Sequence, residues 1–384
     1  MRSHEKQPAQ DKSVAIIGLG AIGSETAAQM IRAPEVSRLV LVDHDRYERK
    51  NLLSQAIEAR DVGRLKAEAQ ARRALQRNPA LAVEALADRV ENVPLARLRC
   101  DVILACLDSR RARQVVNQAA WRLGVPWIDA GVHVGADGGL LARVNVYVPG
   151  LDQPCLECAW SDEDYALEQS YPCQGEAQAP APTGSPPGLG ALAAAMQVIE
   201  ARKILAGQFD RAAVGRQVLI DAAWHRHYVT TYRRNPACRF DHETWRIEAG
   251  KLAESQALRL ALGTGLGRET RGDMGFVGLR VEGETFVLRL ACLRCGRTKE
   301  LLHLGRRLPQ HRRVCRHCGG EMVAAGSDMI GALRAEDVPA RMLALPLRRI
   351  GLRAGDVVTA TAGGRVAHFE IGRDGAVTHK RANG

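Results

Sequence analysis

Ser13-Val14-Ala15-Ile16-Ile17-Gly18-Leu19-Gly20-Ala21-Ile22-Gly23, running on to Arg32, decides how the chain begins to fold. Val14 to Ile17 are consecutive apolar residues, the pattern of a strand buried on both faces. Glycines end the run, and from Ala21 to Arg32 the composition turns helical. A strand, a Gly-x-Gly-x-x-Gly turn and a helix in that order form the context of a phosphate-binding loop. Gly18, Gly20 and Gly23 let the backbone approach phosphate oxygens, and the helix start offers free N–H groups and a positive dipole end. Asp43 ends the next apolar run, 38–43, at the spacing of a ribose-hydroxyl contact. On these residues alone the loop suits NAD as well as ATP.

Outward from this loop, strand and helix patterns keep alternating. Residues 64–77 have helical composition and stop at Asn78-Pro79; 101–108 form a third apolar run, followed by a helix to Leu123. Residues 125–131 and 140–148 read as further strands, 171–190 as a Pro/Gly/Ala-rich crossing loop, 191–207 as a helix stopped by Gly207, and 218–224 as a last strand. The alternation predicts a Rossmann-like α/β domain with a mostly parallel sheet covered on both faces. Past about residue 250 come short alternating strands, clustered cysteines and glycine turns, including a hairpin over 352–372 at Gly363-Gly364. Two domains are therefore expected, 1–249 and 250–384, the second β-rich.

Charge and composition narrow the function less. The chain has 54 Lys and Arg against 43 Asp and Glu, a net charge of +11, which suits a nucleotide, a nucleic acid, an acidic protein or a diffusely positive surface. Aromatics at 4% argue against a base-stacking surface. No apolar run reaches the roughly twenty residues of a spanning helix, and the polar first residues lack a signal-peptide pattern, so a cytoplasmic location is expected and a membrane partner is not.

Ten cysteines in such a chain read as metal ligands or reactive thiols rather than disulfides. Cys292-x-x-Cys295 and Cys315-x-x-Cys318, with nineteen residues between the pairs, form a zinc-ribbon pattern over about 288–322. Such a ribbon can stabilise a domain whose apolar core is thin, or present a docking surface. Cys100 and Cys106 lie in or beside an apolar strand and read as core.

More specific is a series of ordered motifs: Val42-Asp43-His44-Asp45, Asn51-Leu52-Leu53-Ser54-Gln55, Asp61-Val62-Gly63-Arg64-Leu65-Lys66-Ala67, Asn78-Pro79, and Cys106-Leu107-Asp108-Ser109-Arg110 with Asn117 beyond. In order and spacing it resembles the adenylation domain of the ThiF/MoeB/HesA family of E1-like activating enzymes, with its D-x-D, N-L-x-R-Q and G-x-x-K-A, over residues 13–245. The resemblance implies Mg-ATP as the nucleotide. Gly18, Gly20, Gly23, Asp43, Asp45 and Asn51 would bind it, with Lys66 on the phosphates and Asp108 on Mg²⁺. Acyl-adenylate formation joins two anions and expels pyrophosphate, chemistry that needs such cations. The substrate implied is the C-terminal glycine of a small ubiquitin-like protein.

The family's arginine in N-L-x-R-Q is Ser54 here; Arg49, Lys50, Arg64 or an arginine of a second subunit are the candidate replacements. Cys155-x-x-Cys158 stands where the family has its first zinc-ligand pair, and Cys238-x-x-x-His242 where it has its second, which implies a further structural zinc. Cys173, ahead of the helix carrying Glu200 and Lys203 in the family's A-x-E-x-x-K pattern, is the implied acyl acceptor through a thioester. A homodimer and transfer to an E2-like protein belong to the same implication, with a bacterial conjugation system, one linked to phage defence among them, as the leading setting. The alternatives are sulfur-carrier activation for thiamine or molybdopterin synthesis, a tRNA-directed E1-like enzyme, an NAD-dependent oxidoreductase, and a non-catalytic adaptor.

Overall fold

A computed structural model describes residues 11–135, 138–169, 186–263, 278–362 and 365–374. The chain divides into two compact units, Met1–Val93 with Leu98–Thr244, and Pro94–Arg97 with Trp245–Gly384.

In the first unit, strand β1 (Lys12–Ile17) is an inner strand, third in an eight-stranded sheet, and its Val14 to Ile17 are all buried. Parallel to it run β2 (Val36–Val42) and β4 (Val102–Ala105), then β3 (Ala82–Leu86) outside β2 and β5 (Trp127–Val134) outside β4. Beyond β5 the sheet turns antiparallel through β6 (Leu140–Tyr147), β7 (Arg216–Asp221) and β8 (Arg226–Thr231). The α/β architecture is the expected one. Strands β3 and β8 have no counterpart in the sequence reading, because both are sheet edges and lack a continuous apolar run; every residue of β8 is exposed.

Helices α1 (Ala21–Met30), α2 (Lys66–Arg77), α3 (Arg110–Leu123), α4 (Asp162–Gln169) and α5 (Pro187–Leu205) complete the unit. The α5 helix starts four residues earlier than expected. Pro187 lacks an N–H and has a preset φ, so it begins a helix where it would break one further in. Leu189, Ala193, Ala194, Ala201 and Ile204 of α5 pack into the same core as β1 and α1. Gln197, fully buried, donates to the carbonyls of Ala105 (3.0 Å) and Ile128 (2.8 Å) and accepts from Thr26 Oγ1 (3.0 Å). It thereby fastens α1, α5 and the ends of two strands with one side chain whose polar atoms are all satisfied.

The second unit holds two four-stranded arrangements. One is ordered β10 (Gly278–Val281), β15 (Val357–Ala362), β16 (Arg365–Gly372), β9 (Ile247–Ala253), antiparallel except where β9 joins β16. The β15–β16 pair is the expected hairpin, with Ala362 opposite Arg365; Gly363 and Gly364 lie outside the described residues. The other is built on β11 (Phe286–Cys292), flanked by β12 (Thr298–Leu304) and by the two-residue strands β13 (Met322–Val323) and β14 (Met329–Ile330). Short helices α6 (Leu258–Gly263) and α7 (Ala340–Leu343) and residues such as Leu279, Phe286, Leu304, Ile350 and Phe369 close a separate core. No helix among the described residues is long and apolar enough to cross a membrane.

Candidate functional site

Each glycine of the first loop has its own reason to be glycine. Gly18 has φ +85°, and a Cβ there would sit 2.4 Å from the Cys106 carbonyl oxygen. A Cβ on Gly23 would fall 1.8 Å from the Gly18 carbonyl oxygen, so only glycine lets α1 start this close to the turn. At Gly20 a Cβ would meet nothing within 4 Å. The first and third glycines are therefore fixed by packing, while the second leaves backbone open to a ligand, the division of roles a pyrophosphate loop requires. The Cys106 contact also seats the β4 end, and Asp108 after it, beside this loop.

Asp43 braces the loop from below. Its Oδ2 accepts from the Leu19 N–H at 2.7 Å and its Oδ1 from the Asp45 N–H at 2.8 Å, with the side chain largely buried. Tyr47, absent from the sequence reading, adds a second brace. Its hydroxyl donates to the Leu19 carbonyl (3.0 Å) and accepts from Gln70 Nε2 of α2 (2.8 Å). Burial pushes the Tyr47 hydroxyl well above its ordinary pKa, so it stays a neutral donor. A lone tyrosine after a D-x-D gives no spacing signal, which is why only the fold shows it.

Lys66, at the start of α2, is 8% exposed and reaches Asp45 Oδ2 at 2.9 Å. Burial works against the Asp45 charge, but the hydrogen bond and charge of Lys66 outweigh it and hold the carboxyl below its usual range. His44 Nε2 lies 3.2 Å from Asp45 Oδ1, and one ligand atom each from Asp43, His44 and Asp45 falls within 4.8 Å of the others. Asp108 is exposed and has no hydrogen bond or ion pair among the described residues, because Ser109 takes the helix-capping position; its Oγ accepts from the Ala112 N–H at 3.2 Å. Asn51 is engaged locally, its Oδ1 accepting from the Glu48 N–H (2.7 Å) to close a short turn over Arg49–Leu53. Of the candidate replacements for the arginine missing at Ser54, Lys50 pairs with Glu48 (2.8 Å) and Arg64 donates to the Arg60 carbonyl (2.9 Å).

Next to this site lies a charged cluster with no motif behind it. Asp129 on β5 is fully buried and held by Arg113 Nε and Arg143 Nη1, both at 2.8 Å. Two guanidiniums on one buried carboxylate leave positive charge in excess.

Residues 2–240 match the family model of the ThiF family. The chain belongs to the ThiF family. Among curated relatives, the sulfur carrier protein ThiS adenylyltransferase of Escherichia coli (strain K12) is 36% identical over 160 residues, 41% of this chain and 61% of that protein. Ubiquitin-like modifier-activating enzyme 5 of Oryza sativa subsp. japonica is 32% identical over 165 residues, 39% of this chain and 38% of that protein. The chain thus spans less than two thirds of either relative. Among solved structures, E. coli MccB with succinimide superimposes with a TM-score of 0.48 at 22% identity, over 60% of this chain and 67% of that one.

The ThiF unit also carries a cysteine–histidine cluster suited to a metal. Cys155, Cys158, Cys238 and His242 offer ligand atoms within 4.8 Å of one another, with Cys155 Sγ to Cys238 Sγ at 3.8 Å and Cys158 Sγ to His242 Nε2 at 3.3 Å. Tetrahedral zinc with bonds of about 2.3 Å to sulfur needs ligands about 3.8 Å apart, so the set fits. His242 Nδ1 lies 2.7 Å from the Phe240 carbonyl, which commits that nitrogen as a donor and leaves Nε2 for a metal. Behind it, Trp121 packs edge-on to His242, Arg122 forms a two-point pair with Asp241 (2.5 and 2.8 Å), and Asn117 Oδ1 accepts from the Leu156 N–H (3.1 Å). Asn117 therefore serves the knuckle.

Other thiols of the ThiF unit are placed for structure. Cys106 bonds Gln197 Oε1 at 3.2 Å and burial pushes its pKa up to about 12; Cys100 is half-buried, and its desolvation likewise raises it to about 12. Glu200 bridges Lys203 Nζ (2.5 Å) and the Ala213 N–H (2.7 Å), closing the end of α5. Cys173 lies outside the described residues.

In the second unit Cys292, Cys295, Cys315 and Cys318 converge within 4.8 Å, with Sγ–Sγ distances of 3.4 Å (292–318) and 3.7 Å (295–315). Two matching turns bring them there. Gly296 (φ +70°) donates to the Cys292 carbonyl at 3.0 Å and Gly319 (φ +71°) to the Cys315 carbonyl at 2.9 Å. The four thiols fit a closed tetrahedral site with no position left for a substrate.

Proposed function

We propose that the chain activates the C-terminal carboxylate of a small ubiquitin-like protein by ATP-dependent adenylation, with zinc held at each of the two cysteine clusters for structure. What carries this reading is the junction at the first loop, where the open backbone at Gly20 and an exposed, unpartnered carboxylate at Asp108 share one strand-end surface. In it the loop N–H groups and Lys66 take the phosphates, Asp43 the ribose, and Asn51 shapes the adjoining turn. Asp108 and the Asp43–His44–Asp45 group are the residues suited to Mg²⁺, which supplies charge neutralisation when bound. A carboxylate oxygen of the partner attacks the α-phosphorus, the bond to the bridging oxygen of the β-phosphate breaks, and pyrophosphate leaves. Lys66 is already held in place by Asp45, so little reorganisation is needed for it to face the leaving charge.

Family membership favours adenylation over hydride transfer. A thioester at Cys173, an E2-like acceptor and a homodimer extend the same reading. The test is ATP–pyrophosphate exchange with Mg²⁺ and a small ubiquitin-like protein ending in glycine. Exchange should require the partner and fall on the order of 10²-fold or more in Asp108→Ala, with ATP binding retained. Unchanged exchange in that variant would sink the assignment of Asp108. Should wild type bind ATP without exchange, the adaptor reading gains, supported by Ser54 and by the engagement of Lys50 and Arg64 elsewhere. Ser54→Arg then restores exchange if the missing charge is the cause.

A further inference from the structure

The positive charge of the chain sits almost wholly in its second part. Residues 1–244 carry 30 Lys and Arg against 29 Asp and Glu, whereas 245–384 carry 24 against 14. Within that part the ribbon, residues 286–323, holds nine basic residues and two acidic ones, a net +7 on thirty-eight residues. A zinc tetrathiolate would itself contribute −2, and the ribbon would still stand at +5.

Few of these charges are used internally. Arg289 pairs with Asp328 (2.8 Å) and Arg307 with Asp356 (2.5 Å), while Glu300 is taken by Arg341 from outside the ribbon. The other seven basic residues form no ion pair among the described residues. Arg297, Arg306 and Arg316 among them are exposed, on the first knuckle, the β12–β13 connection and the second knuckle respectively. Arg306 also faces the carboxylate of Glu284, but the basic residues of this small unit still far outnumber the acids near them; holding like charges together costs folding free energy, and this excess points to an anionic partner.

The surface also limits which anion. Phe286 is the ribbon's only Phe, Tyr or Trp and is fully buried, so no large aromatic ring is offered for stacking unpaired bases. A protein partner would need an apolar centre in the interface, and Leu293 and Val314 are the only large apolar side chains the ribbon exposes. Arginine in quantity, without aromatics or an apolar centre, matches the spaced phosphates of a duplex. We infer that the Cys₄ ribbon docks the phosphate backbone of double-stranded nucleic acid without reading its bases.

The full-length, zinc-loaded protein is titrated against short labelled RNA and DNA duplexes and against a glutamate-rich peptide, at salt between about 50 and 200 mM. Duplex binding should weaken with a steep log–log salt slope. Replacing Arg297, Arg306 and Arg316 together by Ser should flatten that slope by about 3 and weaken binding at least about tenfold at low salt; replacing all three by Lys should keep it. Zinc content and thermal melting establish that both triple variants are folded. Tighter binding of one duplex type identifies which nucleic acid is held. No duplex binding at low salt, a slope untouched by the Ser variant, or tighter binding of the peptide would each overturn the inference.

Discussion

The two cysteine clusters offer the same chemistry on opposite foundations. Cys155, Cys158, Cys238 and His242 are gathered from distant parts of the chain and rest on α3, whose Trp121 and Arg122 touch Phe240, Asp241 and His242. Helix α3 belongs to a unit with a large core of its own. Cys292, Cys295, Cys315 and Cys318 span twenty-seven residues, and the apolar set around them is small: Val287, Leu290, Leu301, Leu308 and Met322. In the first case metal would tie a tail to a finished fold. In the second it would stand in for most of a core.

Breaking a ligand in each cluster should show the contrast at its largest. Structural zinc contributes about 10–16 kcal/mol of apparent binding free energy in small zinc-dependent units, and losing that coordination leaves such a unit unfolded. Cys315→Ser should therefore release one zinc per chain and abolish amide-exchange protection across 290–298 and 313–323, while the parts of β11 and β12 that Phe286, Leu302 and Leu304 tie to the larger core keep theirs. Cys238→Ser should also release one zinc, yet exchange should rise only near 153–160 and 235–244, with β1, β4 and α3 still protected. Equal loss of protection in the two units would refute the contrast.

The same contrast explains what could be read in advance. A ribbon announces itself because its ligands are close in sequence and held by local turns at Gly296 and Gly319. The β1–loop–α1 segment is legible for the same reason: burial on both faces and tight glycine contacts are both local demands. Tyr47, Gln70, Gln197 and the Arg113–Asp129–Arg143 group carry no such signature. Each acts across fourteen residues or more, as with Gln197 and Ala105, so its partner is set by topology. Asn51 and Asn117 were visible as motif letters, but their bonds to Glu48 and Leu156 were not.

A sharper probe of the first foundation is Arg122→Ala. The guanidinium is nearly buried, donates to Asp241 at two points and to the Glu243 carbonyl (3.1 Å), and lies 4.9 Å from the Phe240 ring centroid. Asp241 keeps about half its exposure, so its stranded charge would be partly solvated. We expect a loss of about 2 kcal/mol, below the roughly 3–5 kcal/mol of a fully buried pair. Chemical denaturation of the first unit measures it. Zinc should be retained, because the four ligands do not depend on this pair for proximity; co-release of zinc with Arg122→Ala would mean that the clamp, not the sheet core, is the foundation.

The smallest expected difference is one of pH. His303 on β12 is buried, its Nδ1 2.9 Å from the Leu304 carbonyl, and its ring is packed so closely on Gly351 that a Cβ there would lie 2.6 Å from Cε1. Burial lowers its pKa, with Arg312, Arg307 and Arg353 adding in the same direction, so the folded unit prefers the neutral ring. The unfolded chain binds that proton more readily, near the ordinary value of about 6.5. The stability tied to neutral His303 is therefore fully present above about pH 6.5 and is lost as the pH falls towards the lower folded value. Melting of the second unit should decline over that window. In His303→Gln the second unit should start from a lower melting temperature but lose this slope; a slope that persists would place the acid sensitivity in the cysteine ligands instead.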